Sequence, residues 1–146
     1  MQNSSPMITL CSLAQKALDQ ATLSLGQARR SHTQAQQQLS MLMDYQHEYR
    51  QRLNVTMTDG IAANTWQNYQ QFITTLEEAI THHQKQLAQW DMRVKEAVSQ
   101  WQDKQQRLNA YQTLQQRACD RELLEENRRD QKQTDEFAQR GTLRNK

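Results

Sequence analysis

The sequence predicts an all-α protein: a long two-helix antiparallel coiled-coil hairpin whose second helix overhangs the first. Three observations carry this expectation. The 146 residues include one proline, at position 6, and three glycines, at 26, 60 and 141. That is too few turn-forming residues for a β or α/β domain of this length. Apolar residues recur in heptads through two long stretches that break only around Gly60. The hydrophobic fraction is 36% and the mean hydropathy is −1.05, which suits one narrow seam rather than a layered core. Glutamine, 26 of the 146 residues, adds polarity without charge and favours helix. The strong periodicity argues against Gln-rich disorder.

The first helix is expected over about residues 6–57, with Ser5 as N-cap and Pro6 at the first helical position. One heptad ladder reads Cys11, Leu18, Leu25, His32, Leu39, Gln46 and Leu53. Three residues on, a second reads Ala14, Ala21, Ala28, Ala35, Leu42 and Tyr49. These are the a and d positions of a coiled coil. "TDG" at 58–60 then supplies a glycine able to adopt a left-handed conformation, so the turn falls at about 58–63. Gly26, at a solvent-facing b position, costs about 1 kcal/mol relative to Ala, and the sequence gives no reason for it.

The second helix is expected over about 64–140, with Asn64 as N-cap and Gln67 three residues later. Its a ladder is Trp66, Ile73, Ile80, Leu87, Val94, Trp101 and Leu108. Its d ladder is Tyr69, Leu76, His83, Trp90, Ala97, Lys104, Tyr111 and Ala118. The short link makes the helices antiparallel neighbours. Layered residue numbers then share a constant sum. A sum of 122 pairs Tyr49 with Ile73 and Leu42 with Ile80, and in most layers, such as Ala35 with Leu87 and Ala21 with Trp101, small residues face large ones. A sum of 115 would instead pair His32 with His83. The register of 122 is preferred.

At that register residues 121–140 extend beyond the first helix, unpaired, and 141–146 form a flexible tail. The extension holds Leu123, Leu124 and Phe137 among interleaved charges such as Glu125 and Arg129. At 1.5 Å per residue the helices would be about 75 Å and about 110 Å long. Such a rod offers contact surface and no deep pocket.

Most chemistries are excluded by composition and spacing. The net charge is +2, from 18 basic and 16 acidic residues, without the clustered basic excess that nucleic-acid binding requires. No run of 18 apolar residues spans a membrane, and no secretory leader opens the chain. Cys11 and Cys119 are expected as thiols in the cytosol, since Cys11 faces Tyr111, roughly 12 Å along the axis from Cys119. His82 and His83 are neighbours on a helix and cannot chelate together. His32 and His83 read as polar seam residues that help fix register, with His47 and His82 solvated. No nucleophile–base pair or phosphate-binding glycine loop occurs, so no enzyme, cofactor or metal is expected. Met41, Met43 and Met57, near the turn, read as adaptable filler.

One edge of the seam stands out. Coiled-coil g positions usually carry Glu or Lys, yet those near the turn are Gln38, Tyr45, Phe72 and Ala79. In an antiparallel pair the g edges of both helices lie on one side, so Tyr45 and Phe72 should border one strip. Phe72 either folds over Ile73 and widens the core, or stays exposed as part of an aromatic patch for a partner peptide. The residues alone leave both open.

The stretches "MLMDYQHEYRQRLN" (41–54), "GIAANTWQNYQQFITTLEEAI" (60–80) and "ENRRDQKQTDEFAQR" (126–140) resemble the flagellar FliJ protein family. The specific parts are the non-seam residues of "DYQ.EYR" and "NYQQF" together with the turn; the closing "GTLRNK" is divergent. The resemblance implies a soluble, non-enzymatic component of the bacterial flagellar type III export apparatus, similar to the central stalk of rotary ATP synthases. It implies binding to the hexameric export ATPase, whose ring receives the helix ends around 7–20 and 105–125. It also implies contact with the cytoplasmic linker of the membrane export gate, and binding of empty export chaperones. The implied gate-contacting residues are Gln38, Leu42, Tyr45, Tyr49, Phe72, Leu76, Ala79 and His83, which tips Phe72 toward docking. The expected location is cytoplasmic, peripheral to the inner membrane at the flagellar base, without membrane insertion, and monomeric in isolation. The competing expectation is a passive coiled-coil chaperone or structural protein with no coupling to an ATPase.

Overall fold

A computed structural model describes residues 5–60 and 62–144, which form two long helices packed against each other and, among the described residues, no strand. Helix α1 spans Ser5–Asp59 and helix α2 spans Ala63–Arg144. Both are held by the seam the heptads write. Every a and d residue of the four ladders, from Cys11 to Ala118, is buried or half-buried, and Gln115 and Glu122 carry the a ladder two steps further. The best-covered positions are Ala14, Leu18, Leu25, Ala35, Leu53, Ile73, Leu76, Ile80 and Leu108. Burial of each Leu or Ile contributes on the order of 1.5–3 kcal/mol. These few layers hold the helices together, while large apolar side chains such as Leu13, Leu23 and Met92 stay exposed.

The turn is built by Gly60. Its φ is 83°, a left-handed conformation that costs glycine little and other residues more. Its N–H donates to the Met57 carbonyl at 3.2 Å, closing α1. Asn64, expected to cap α2, lies instead inside its first turn. The first bond of that helix runs from the Trp66 N–H to the Ala62 carbonyl at 3.1 Å, which puts the cap position at Ala62, two residues before Asn64. The side chain of Ser5, the expected cap of α1, lies outside the described residues. At the other end α2 continues through Gly141 to Arg144; Asn145 and Lys146 lie outside the described residues.

Threonine is a mediocre helix former, yet it recurs on both helices. Thr33, Thr56, Thr74, Thr81 and Thr134, among others, donate their hydroxyls to the carbonyl four residues back at 2.8–3.0 Å. That bond satisfies the hydroxyl within the helix surface.

The helices form two compact units. The turn unit is Ala21–Trp101; the terminal unit joins the residues up to Gln20 with those from Gln102 onward. In the turn unit, Tyr49 meets Phe72, His32 meets Asp91 and Thr22 meets Trp101. These pairs sum to 121, 123 and 123, which fits the register of 122 and excludes the His32–His83 pairing of 115. In the terminal unit the Cys11 thiol lies 3.5 Å from Gln115 Oε1, one turn beyond Tyr111. Both cysteines are free. Beyond Glu122 every described side chain of α2 is exposed, Phe137 at 80%. Local bonds such as Gln131 to Asp135 and the 4.0 Å pair Arg129–Glu125 run along its surface.

Candidate functional site

The site lies in the turn unit, where the helix wheel gives the seam two different flanks. On the e flank, Arg50 Nη2 reaches Glu77 Oε1 at 3.2 Å, and Asp91 Oδ1 lies 2.8 Å from Nε2 of the seam residue His32. On the g flank the side chains are mostly uncharged, and aromatic rings take the place of ion pairs.

Phe72 decides what that flank is. Ile73 and Leu76 point into the seam, as their a and d positions require, so Phe72 at g emerges beside them. Its ring stacks on Tyr49 with centroids 4.2 Å apart and planes tilted by 31°; Tyr49 also contacts Tyr69 at 5.6 Å. Phe72 nevertheless stays 39% exposed and Tyr45, its g counterpart on α1, 56% exposed. Phe72 therefore belongs to both alternatives: one face covers Tyr49, and the other faces solvent. Offset rings of this kind stabilise by about 0.5–1.5 kcal/mol beyond burial.

One turn further along the flank, Gln38, Met41, Leu42, Tyr45 and His83 line an open cavity of about 350 Å3. His83 is half-buried, and its Nδ1 is buried with no hydrogen-bond partner in the protein. A buried polar atom left so costs free energy. Ala79, half-buried, is the remaining g residue between Phe72 and His83.

A family model described as "Flagellar FliJ protein" matches residues 3–146. The chain is 54% identical over 138 residues to the Flagellar FliJ protein of Escherichia coli (strain K12), covering 94% of each. To the Flagellar FliJ protein of Salmonella typhi it is 55% identical over 136 residues, covering 93% of this chain and 92% of that one. The chain belongs to the flagellar FliJ protein family. As a member it is a component of the flagellar export apparatus, and no helix among the described residues is long and apolar enough to cross a membrane.

Of the eight residues that the FliJ resemblance singles out, all lie in the turn unit. Gln38, Leu42, Tyr45 and His83 share the cavity, and Tyr49 and Phe72 share the ring stack. Leu76 is different: at 8% exposure it is core and supports the surface without forming it. Met41, read from sequence as filler, lines the cavity and is exposed. Its c position beside the g edge was the available signal. Among the described residues no three His, Cys, Asp or Glu side chains gather as a metal site would need. His47 and His82 bond instead to Gln51 and Gln86, at 3.2 and 3.1 Å.

Proposed function

We propose that this FliJ-family protein is a non-enzymatic stalk and adaptor of the export apparatus. The terminal unit engages the hexameric export ATPase and promotes its assembly and activity, the exposed end of α2 included. The open g edge of the turn unit docks on the cytoplasmic linker of the export gate, through Gln38, Leu42, Tyr45, Tyr49, Phe72, Ala79 and His83, with Leu76 beneath. Empty export chaperones are further partners. The protein works as a monomer, peripheral to the cytoplasmic side of the inner membrane at the flagellar base, in support of flagellum biogenesis and motility.

The observation that supports this best is the asymmetry of the two flanks. A coiled coil that only had to persist would close both edges with charge. Here one edge carries partly exposed rings, a cavity large enough for an apolar side chain, and an unpartnered histidine nitrogen. Those are the ingredients of a protein-binding hot spot: aromatic anchors over a packed base, with polar groups fixing orientation.

The test takes the purified chain separately against the export ATPase and the cytoplasmic region of the gate. The expected outcome is capture by both, and a raised ATPase rate at less than one chain per hexamer. Failure to stimulate the ATPase or to co-migrate with its ring would leave only a passive export chaperone.

A further inference from the structure

The g edge does not end at the cavity beside His83. Further along it, still within the turn unit, Ser24, Ala28, Arg30 and Ser31 of α1 and Trp90 and Arg93 of α2 line a groove of about 550 Å3. Serine and alanine make its floor shallow, so a ligand can approach the α1 backbone. Two arginines and an indole make its walls, and no carboxylate lines it.

Both arginines are available. The Arg93 guanidinium carbon sits 4.6 Å from the centre of the Trp90 ring. That contact uses the face of the guanidinium and leaves its in-plane N–H donors unspent. It also anchors the charge on a half-buried seam residue, which lowers the entropy lost on binding. Among the described residues the carboxylates in contact with a basic side chain are Asp91 on His32, Glu77 on Arg50 and Glu125 on Arg129, so neither Arg30 nor Arg93 has a carboxylate. From Ser24 to Arg52 and from Phe72 to Gln100, no g position of either helix carries Asp or Glu. Arg52 lies at the turn end of this edge, and Arg30 and Arg93 gather in the groove beyond the aromatic strip.

We infer that this groove binds an acidic residue of the same polypeptide that docks on the aromatic strip. The inference rests on the gate-docking proposal above and adds the chemistry of the partner: an acidic peptide whose carboxylate is set apart from its apolar anchors. The separation follows from the helices. Arg30 lies twelve residues from Leu42 and Arg93 ten residues from His83, which is roughly 15–18 Å along a helix axis. An extended segment of about five residues spans that distance. The carboxylate accepts charge-assisted hydrogen bonds from Arg93 and Arg30, while the apolar anchors enter the cavity and cover Phe72.

Calorimetric titration of the full chain with the gate's cytoplasmic region, at ~50 and ~300 mM salt, tests this. The double variant Arg30→Gln/Arg93→Gln should bind about tenfold more weakly at low salt, lose most of the salt dependence, and melt like the unmodified chain. Phe72→Ala should bind more weakly at both salt concentrations and keep the salt dependence of what remains. Replacing the acidic residues of the gate segment by amides should reproduce the arginine phenotype. A double variant within twofold of the unmodified chain at both salts, with the same salt dependence, overturns the inference and leaves gate docking intact. Absence of binding by the unmodified chain overturns both.

Discussion

Along one edge of the turn unit, charged side chains find partners: Arg50 pairs with Glu77, and Asp91 bonds to the seam histidine His32. Along the other edge the equivalent positions hold Tyr45, Phe72, Ala79 and Gln38, and the rings of Phe72 and Tyr49 stack while staying partly open to solvent. The two edges flank the same seam and contain the same helices, so helix formation cannot be the reason they differ. Exposed ion pairs contribute little to stability, typically under about 1 kcal/mol. Their use is to keep an edge soluble and unattractive to partners. An edge that forgoes them and exposes rings has given up that protection where a partner can use it.

Substitutions in the seam, on the open edge and on the closed edge should therefore separate cleanly. Ile73→Ala removes a buried a residue beside Phe72 and should cost about 2–4 kcal/mol in denaturant melts; gate binding falls with it because the base under the strip is lost. Phe72→Ala should cost only about 1 kcal/mol, the ring stack and the covered face, yet remove most gate binding and motility. A loss of helicity on that substitution would make Phe72 core after all.

Gly26→Ala should stabilise α1 by about 1 kcal/mol, read as a higher melting temperature. An added Cβ would meet nothing closer than an Arg30 guanidinium nitrogen at 3.8 Å, ordinary contact. The structure, like the sequence, gives no packing reason for this glycine. Smallest of all, Arg50→Ala on the closed edge should change stability by no more than about 0.5 kcal/mol and leave gate binding unmoved.

The seam was legible before any coordinates, and the reason is physical. A two-helix coiled coil has one buried stripe, its period is the heptad, and each ladder position from Cys11 to Ala118 had to be covered at least in part. The pairing of small with large residues set the layers, which is why Ala21 and Trp101 come close to facing each other and Thr22 receives the Trp101 N–H at 3.0 Å. The edge was only half legible. Heptad position says that Phe72 lies beside Ile73; it does not say which way the ring turns, and the stack on Tyr49 is a rotamer choice that depends on the opposite helix. The Trp90–Arg93 contact escaped for the same reason. The cap at Asn64 failed on a different ground: after the left-handed Gly60 the helix begins at Ala63, and the cap position falls on Ala62, which has no side-chain acceptor.

The claim that the open edge is the docking face is tested most directly by a matched pair of substitutions at neighbouring positions on opposite flanks. Titrating the gate's cytoplasmic region into the unmodified chain, Phe72→Ala and Glu77→Ala gives three dissociation constants under one condition. The account predicts at least a tenfold loss for Phe72→Ala and a change within twofold for Glu77→Ala. Equal effects, or a larger loss at Glu77, would contradict it.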